Sequence, residues 1–338
     1  MRQATMTAPG VIEIGEAAAP APAAGQVRLR VQRIGVCGSD VHVYHGKHPF
    51  TPYPVVQGHE FSALVESVGE GVTGIAVGDR VTATPQEVCG ACRPCLRGDY
   101  HICDSLKVRG FQAPGCAQDL FVTEAQKIVP LPPGFSFEQG ALVEPVAVGV
   151  HAVSRAGNVS GKNVAVLGAG PIGNLLAQVA QAQGARTLIT DVSDFRLEVA
   201  RRCGLVSTSN AREEELAAAS ARVFGREGFD VAFECAGVEG TINAAIGTIQ
   251  KGGTIVLVGV YGERPRLDVG LVQDRELNLV GTLMYKYEDF TRAVELMAAG
   301  RVVTAPLDSN HFPFERYPAA YRFIDEAGDR SMKVFIDL

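Results

Sequence analysis

Hydrophobic and polar positions alternate over short stretches in the first part of the chain. Val27–Ile34, Phe61–Val68 and Asp79–Thr84 are β-branched or alternating segments bounded by Gly, Pro and Asp turns, and they predict strands. The pattern changes at Asn163. Val164–Leu167 is a short apolar run, followed by a glycine-rich turn and a helical pattern from Ile172 to Gly184. Leu188–Thr190 predicts the next strand and Phe195–Cys203 an amphipathic helix; Val231–Phe233 and Thr254–Val258 continue the series. Strand and helix taking turns predicts an α/β fold with a parallel, doubly wound sheet. A helix over Tyr287–Ala299 and a closing strand Lys333–Asp337 end the chain. The expected plan is a β-rich unit over 1–146, a nucleotide-binding unit over 147–283, and a return to the first unit over 284–338.

Length agrees with that plan, since 338 residues exceed one ordinary core. Hydrophobic residues make up 46% and charged residues 20%, an ordinary soluble balance. A net charge of −6 leaves no basic footprint for nucleic acid and no polybasic patch for an anionic membrane. No apolar run reaches spanning length. The Ala/Pro stretch Ala17–Ala24 lacks an apolar region behind basic residues, so it reads as a turn between strands rather than a secretion signal. Four of the eight cysteines fall within fifteen residues, which favours metal over disulfides. The expected compartment is the cytoplasm.

Gly168-Ala169-Gly170-Pro171-Ile172-Gly173 fits G-x-G-x-x-G between a strand and a helix. The first glycine permits a tight turn, the second admits a pyrophosphate, and the third lets helix and strand pack. A helix N-terminus there offers free N–H groups to phosphate. Asp191 ends the next strand, where a ribose diol is held, and a carboxylate there repels a 2′-phosphate. Arg196 leaves three readings: accommodating NADP, stacking on adenine, or lying on a solvated face. NAD is the expected cofactor. Val258, Gly259, Val260 and Leu283 are also assigned to its binding.

Cys89, Cys92, Cys95 and Cys103 offer four thiolates at spacings that a tetrahedral ion can gather. Four sulfurs close the shell, so the ion is expected to be structural zinc. Reduced core thiols or an iron–sulfur cluster are the alternatives, and nothing nearby suggests an electron-transfer partner. A second group is dispersed: Cys37 in a Cys-Gly-Ser-Asp segment, then Gly58-His59-Glu60, then Glu144-Pro145. One thiolate, one imidazole and carboxylates make an open site with room for water or an alcohol.

Taken together, the Cys-Gly-Ser-Asp segment, Gly-His-Glu, the cysteine lobe, Glu-Pro-Val-Ala-Val-Gly-Val-His and the glycine fingerprint carry a resemblance along the whole chain. It resembles the zinc-containing medium-chain alcohol dehydrogenases, in the sorbitol and sugar-acid branch. Two zinc ions per chain, NAD and a β-rich GroES-like catalytic domain beside the Rossmann domain are implied, as is a homodimer or homotetramer. The resemblance implies Cys37 and His59 as catalytic ligands with Glu60 the third, and Glu144 at the bound water or on the metal. Asp40 is expected to orient His59. The implied chemistry is Lewis-acid activation of a hydroxyl and hydride transfer to nicotinamide. Ser39 is then expected to pass the proton to the cofactor ribose, and His42 to deliver it to solvent.

The substrate implied is small and polyhydroxylated. Sorbitol-type members use a tyrosine soon after Cys-Gly-Ser-Asp and a late Arg-Tyr pair. Here those places read Val43 beside Tyr44, and Met284-Tyr285, so the arginine is missing. Tyr44 to Phe50 is instead similar to hexonate (galactonate or gulonate) dehydrogenases, with Lys47, His48 or Lys286 meeting a carboxylate. Polyol and threonine dehydrogenases, a zinc-free quinone reductase and a non-catalytic NAD-binding protein are the alternatives.

Overall fold

The alternating stretch at Val27 forms the strand Gln26–Gly35 in the computed structural model, which describes every residue from Met1 to Leu338. Period-two geometry puts Val27, Leu29 and Val31 on one face, and each is at most 1% exposed. Phe61, Ala63 and Val65 of the strand Glu60–Val68 join the same core. Burying a side chain such as Leu29 or Phe61 contributes roughly 1.5–3 kcal/mol before the entropy of ordering is subtracted. The seven-stranded sheet runs Asp308–Pro313, Lys333–Asp337, Gln26–Gly35, Glu60–Val68, Arg80–Ala83, Ile128–Pro130, with Leu120–Glu124 also paired to Gln26–Gly35. Its register matters most at one end. Gly35 pairs with Glu60 on one side and with Phe335 on the other. Three chain segments remote in sequence therefore meet beside Cys37. A Cβ on Gly35 would lie 2.6 Å from a carboxylate oxygen of Glu60, so a side chain there would have to displace that carboxylate.

The second sheet has six parallel strands in the order Thr208–Asn210, Arg186–Asp191, Asn163–Leu167, Val231–Glu234, Thr254–Leu257, Asn278–Gly281. Numbered within this unit, the order is 3-2-1-4-5-6, the doubly wound arrangement whose direction reverses between Asn163–Leu167 and Val231–Glu234. Ligands bind outside the carboxyl ends of strands at such a reversal. Leu167 and Glu234 are in register there, so the loops that follow them flank that point.

By its contacts the chain divides into Met1–Glu144 with Lys286–Val294 and Asp308–Leu338, and Pro145–Tyr285 with Glu295–Leu307. The return expected over 284–338 is therefore interrupted, because residues 295–307 group with the parallel-sheet unit. The fingerprint helix is Pro171–Ala182, shorter at its end than its apolar pattern, and Gly184 beyond it takes φ +91°. No helix is long and apolar enough to cross a membrane.

Candidate active site

Arg93–Leu96 is a single short turn of helix that begins after Cys92, with Pro94 in its first turn. The loop around it draws the sulfurs of Cys89, Cys92, Cys95 and Cys103 to within 4.8 Å of one another. Cys103 Sγ is 3.5 Å from Cys89 Sγ and 3.7 Å from Cys92 Sγ. A tetrahedral zinc with bonds of about 2.3 Å needs sulfurs about 3.8 Å apart, whereas a disulfide needs about 2 Å. The spacing fits the metal, and all four cysteines are free. Backbone N–H groups of Ala91 and Cys92 donate to Cys89 and lower its pKa to about 6, favouring thiolate. Asp99, inside this lobe, pairs with Lys286 Nζ at 3.0 Å, and that contact and Arg97 bring its carboxyl to about 2. Tyr100 Oη accepts a hydrogen bond from the Tyr287 amide at 2.6 Å. Lys286, expected at a substrate carboxylate, is here paired with the lobe.

The reactive group is built by the strand register described above. Donor atoms of Cys37, His59 and Glu60 lie within 4.8 Å of one another. Cys37 precedes the helix Gly38–Tyr44, and Asp40 in its first turn accepts from the Cys37 amide at 3.0 Å. The other oxygen of Asp40 is 3.6 Å from His59 Nδ1, leaving Nε2 for a ligand. Burial pulls the His59 pKa down, but the charge and hydrogen-bonding capacity of Asp40, followed by Cys37, raise it well above the usual value. Burial and then the charge of Glu60 push the Cys37 thiol up. A cation would relieve both effects, so the donor set fits a metal.

Lys333 was not legible as a site residue. It is 2% exposed, contacts both carboxylate oxygens of Glu60, and donates to Val36 O at 3.5 Å. Burial lowers its pKa, but Glu60 above all, with Cys37 and Glu144 adding to it, raises it overall, so it stays charged. Glu144, on the helix Phe137–Arg155, is 5% exposed. The carboxylates of Asp40, Glu60 and Glu144 outnumber this one buried lysine, which again leaves room for a dication. Lys333 engages Glu60 directly, yet each carboxylate oxygen keeps a second lone pair for a metal.

Ser39 and His42 lie three apart on Gly38–Tyr44, hence on one face. Burial, then His45 and Lys47, lower the His42 pKa, so it is neutral at pH 7 and able to accept a proton. His48 comes to the same wall: its ring is 4.9 Å from Phe111, which lies 5.0 Å from the His59 ring. Its Nδ1 is 2.7 Å from Thr51 Oγ1. Lys47 is exposed, and Tyr44 packs on Tyr321 with ring centroids 5.0 Å apart. Tyr285 has no exposed surface, and Met284 before it has φ +52°.

In the parallel-sheet unit the fingerprint glycines show their separate uses. Gly168 takes φ +108°; a Cβ on Gly173 would lie 1.9 Å from Gly168 O; a Cβ on Gly170 would meet nothing within 4 Å. The second position is therefore the open face for a phosphate, ahead of the helix begun by Pro171 and Ile172. Asp191 accepts from the Ala169 amide at 2.7 Å and the Ser193 amide at 2.9 Å, tying the glycine loop to its own strand end. Arg196 is half-buried, and its Nε has no hydrogen-bond partner. A cavity of about 250 Å³, lined by Leu167, Thr190, Leu216, Val238 and Ala244, opens at these strand ends. Glu234 was also missed. Fully buried at the end of Val231–Glu234, it accepts from the amides of Ala236 and Gly237, from Thr241 Oγ1 at 2.6 Å and from Tyr261 Oη at 2.9 Å. Its main-chain oxygen takes the amides of Val258 and Gly259. The Val258–Val260 loop is thereby fixed, with Val260 67% exposed, while Leu283 is 53% exposed.

Comparison with known proteins agrees with this geometry. Residues 23–133 match the alcohol dehydrogenase GroES-like domain, and residues 171–299 match the zinc-binding dehydrogenase family. A 2-dehydro-3-deoxy-L-galactonate 5-dehydrogenase of Pseudoalteromonas atlantica is 37% identical over 95% of this chain and 94% of its own. Sorbitol dehydrogenase 2 of Saccharomyces cerevisiae is 35% identical over 92% and 90%. The crystal structure of L-idonate 5-dehydrogenase from Escherichia coli has a TM-score of 0.92 at 26% identity, covering 100% of this chain and 98% of that one. With both halves matched and such identity sustained along nearly the full length, the chain belongs to the zinc-dependent medium-chain alcohol dehydrogenases, oxidoreductases acting on CH–OH groups.

Proposed function

We propose that the protein oxidises a secondary hydroxyl of a hexonate-type sugar acid, with NAD as hydride acceptor. The observation that carries this reading is the convergence of Cys37, His59 and Glu60 in a buried, metal-fitting set with His48 on the adjoining wall. When bound, zinc supplies Lewis acidity toward the substrate hydroxyl and NAD supplies the hydride acceptor. Cys37 and His59 hold the metal with Glu60 or Glu144. Ser39 accepts the hydroxyl proton as it releases its own toward the cofactor ribose, and neutral His42 carries that proton on toward solvent. Gly170 and the helix behind it receive the pyrophosphate, Asp191 the ribose, and the cavity beside Thr190 the adenine. The sugar-acid assignment draws support from two relatives named for 5-dehydrogenation of sugar acids. Oxidation of a neutral polyol is the second reading, and the engagement of Lys286 by Asp99 favours it by removing one cation.

Steady-state kinetics on hexonates, sorbitol, xylitol and threonine decide between these readings. A hexonate should give the highest kcat/KM; a higher value for sorbitol would leave the polyol reading standing. With the best substrate, NAD should outperform NADP. Asp191→Ala should narrow that preference by roughly 1.5–3 kcal/mol, the worth of a hydrogen bond to a charged group. A preference for NADP in the unaltered protein would assign control of the ribose pocket to Arg196.

A further inference from the structure

Behind His59 a line of buried polar side chains leads to the helix Tyr317–Ala327. Asp40 Oδ1, 3.6 Å from His59 Nδ1, lies 3.4 Å from Gln57 Nε2, which also reaches the Asp40 main-chain oxygen at 3.4 Å. Gln57 Oε1 accepts from Tyr321 Oη at 2.9 Å. Asp40, Gln57 and Tyr321 are at most 2% exposed, and Tyr321 is wedged between Tyr44 and Tyr317. The contact is tightest at the tyrosine end and loosest at the imidazole.

A primary amide has a donor end and an acceptor end, and in a buried site its direction matters. With Oε1 toward Tyr321, Gln57 turns its N–H toward the Asp40 carboxylate. Reversed, it would set an oxygen against that carboxylate and leave a buried carbonyl facing negative charge, a costly arrangement. The tyrosine hydroxyl, as donor, favours the first direction. Asp40 is thereby held as an acceptor, with one oxygen on the Cys37 amide and the other facing His59 Nδ1. His59 Nδ1 makes no hydrogen bond at this 3.6 Å separation; closure of Asp40 onto it would keep the proton there and the Nε2 lone pair free for a metal.

We propose that Tyr321 and Gln57 are positioning residues that fix, through Asp40, the tautomer and ring direction of His59 as a metal ligand. This rests on the assignment of a catalytic zinc at Cys37 and His59. Tyr321 reaches that site only through the amide, so the two act in series.

The test uses the full-length holoprotein and follows release of each zinc to a chelator, the ligand-field spectrum after cobalt exchange at the labile site, and kcat with KM. In Tyr321→Phe the labile zinc should bind about 10- to 100-fold more weakly, the range for loss of an outer-shell partner, with the cysteine-lobe zinc unchanged. The cobalt spectrum should shift, and kcat should fall more than KM changes. Gln57→Glu keeps the acceptor for Tyr321 but removes the donor to Asp40, and should weaken the same zinc. In a Gln57→Met background, Tyr321→Phe should add nothing further. Unaltered zinc release and cobalt spectrum in both Tyr321→Phe and Gln57→Glu would overturn the proposal, as would additive losses in the double variant. A lower melting temperature with unaltered zinc release would mean packing alone. If Tyr321→Phe does not fold, Gln57→Glu decides. Were the unaltered protein to lack a labile zinc, the catalytic-site assignment itself would fall; normal zinc content with unaffected variants removes only this proposal.

Discussion

The cysteine lobe and the Cys37–His59–Glu60 group both gather donor atoms within 4.8 Å, but they draw them from the chain in opposite ways. The lobe takes all four thiols from Cys89 to Cys103, and only Cys103 is buried. The reactive group takes its donors from the ends of two paired strands, with Glu60 fully buried and His59 5% exposed. A short loop can close on an ion by itself, so local spacing nearly determines the first site. The second exists only after the sheet has paired Gly35 with Glu60 and Phe335. Its partners Asp40, Lys333 and Tyr321 are part of the fold's core. One site is a clip on the surface, and the other is a product of tertiary structure.

The largest difference between the sites should appear on removing one ligand from each. His59→Ala should stay folded, keep the lobe zinc, and lose turnover by more than about 1,000-fold, since Lewis acidity is worth several kcal/mol. Cys92→Ser should instead reduce soluble yield and folded signal. A Cys92→Ser protein that folds normally and loses only turnover would erase the distinction.

Next in size is the buried ion pair that only the reactive site has. Lys333→Met leaves Glu60 uncompensated, and should cost about 3–5 kcal/mol in denaturant unfolding. Adding Glu60→Gln should recover part of that loss. A cost below about 1 kcal/mol would mean that Lys333 does not hold Glu60 in solution.

Smaller effects separate two basic residues expected at the substrate. Burial above all, with the neighbouring His42 ring adding to it, lowers the His48 pKa, so at pH 7 His48 offers a neutral hydrogen bond. His48→Ala should therefore lower kcat/KM by roughly 2- to 12-fold, equivalent to 0.5–1.5 kcal/mol. Lys286→Ala should leave kcat/KM near the original value, because its charge is already spent on Asp99 at the lobe. A large loss from Lys286→Ala would return that lysine to the substrate wall.

Legibility in the sequence follows the same division between local and distant. The closing strand Lys333–Asp337 is expected from the sequence at its observed bounds, and the glycine fingerprint from its spacing. The cysteine lobe was visible for the same reason. The helix Phe137–Arg155 was not, because it is buried on most sides and Pro145 lies inside it. A proline there reads as a break, and uniform burial hides the 3.6-residue period. Very short strands such as Gln86–Glu87 and Lys107–Val108 carry too few positions to show a period. In the sites, His59 and Cys37 were legible as residue types, while Lys333, Gln57 and Tyr321 were not. Their roles depend on which strands and helices meet, and no local spacing records that. Position near a motif suggests substrate for Lys286 and Tyr285, whereas the pairing of Lys286 with Asp99 and the burial of Tyr285 depend on tertiary structure.

The most direct test of the central claim, one closed and one open metal site in the same chain, is a zinc count during chelation. Two equivalents should be present per chain at the outset. Mild chelator should remove one in step with loss of turnover, and the second should stay until the protein unfolds. A single equivalent in fully active protein, or two ions lost together with activity, would contradict the account.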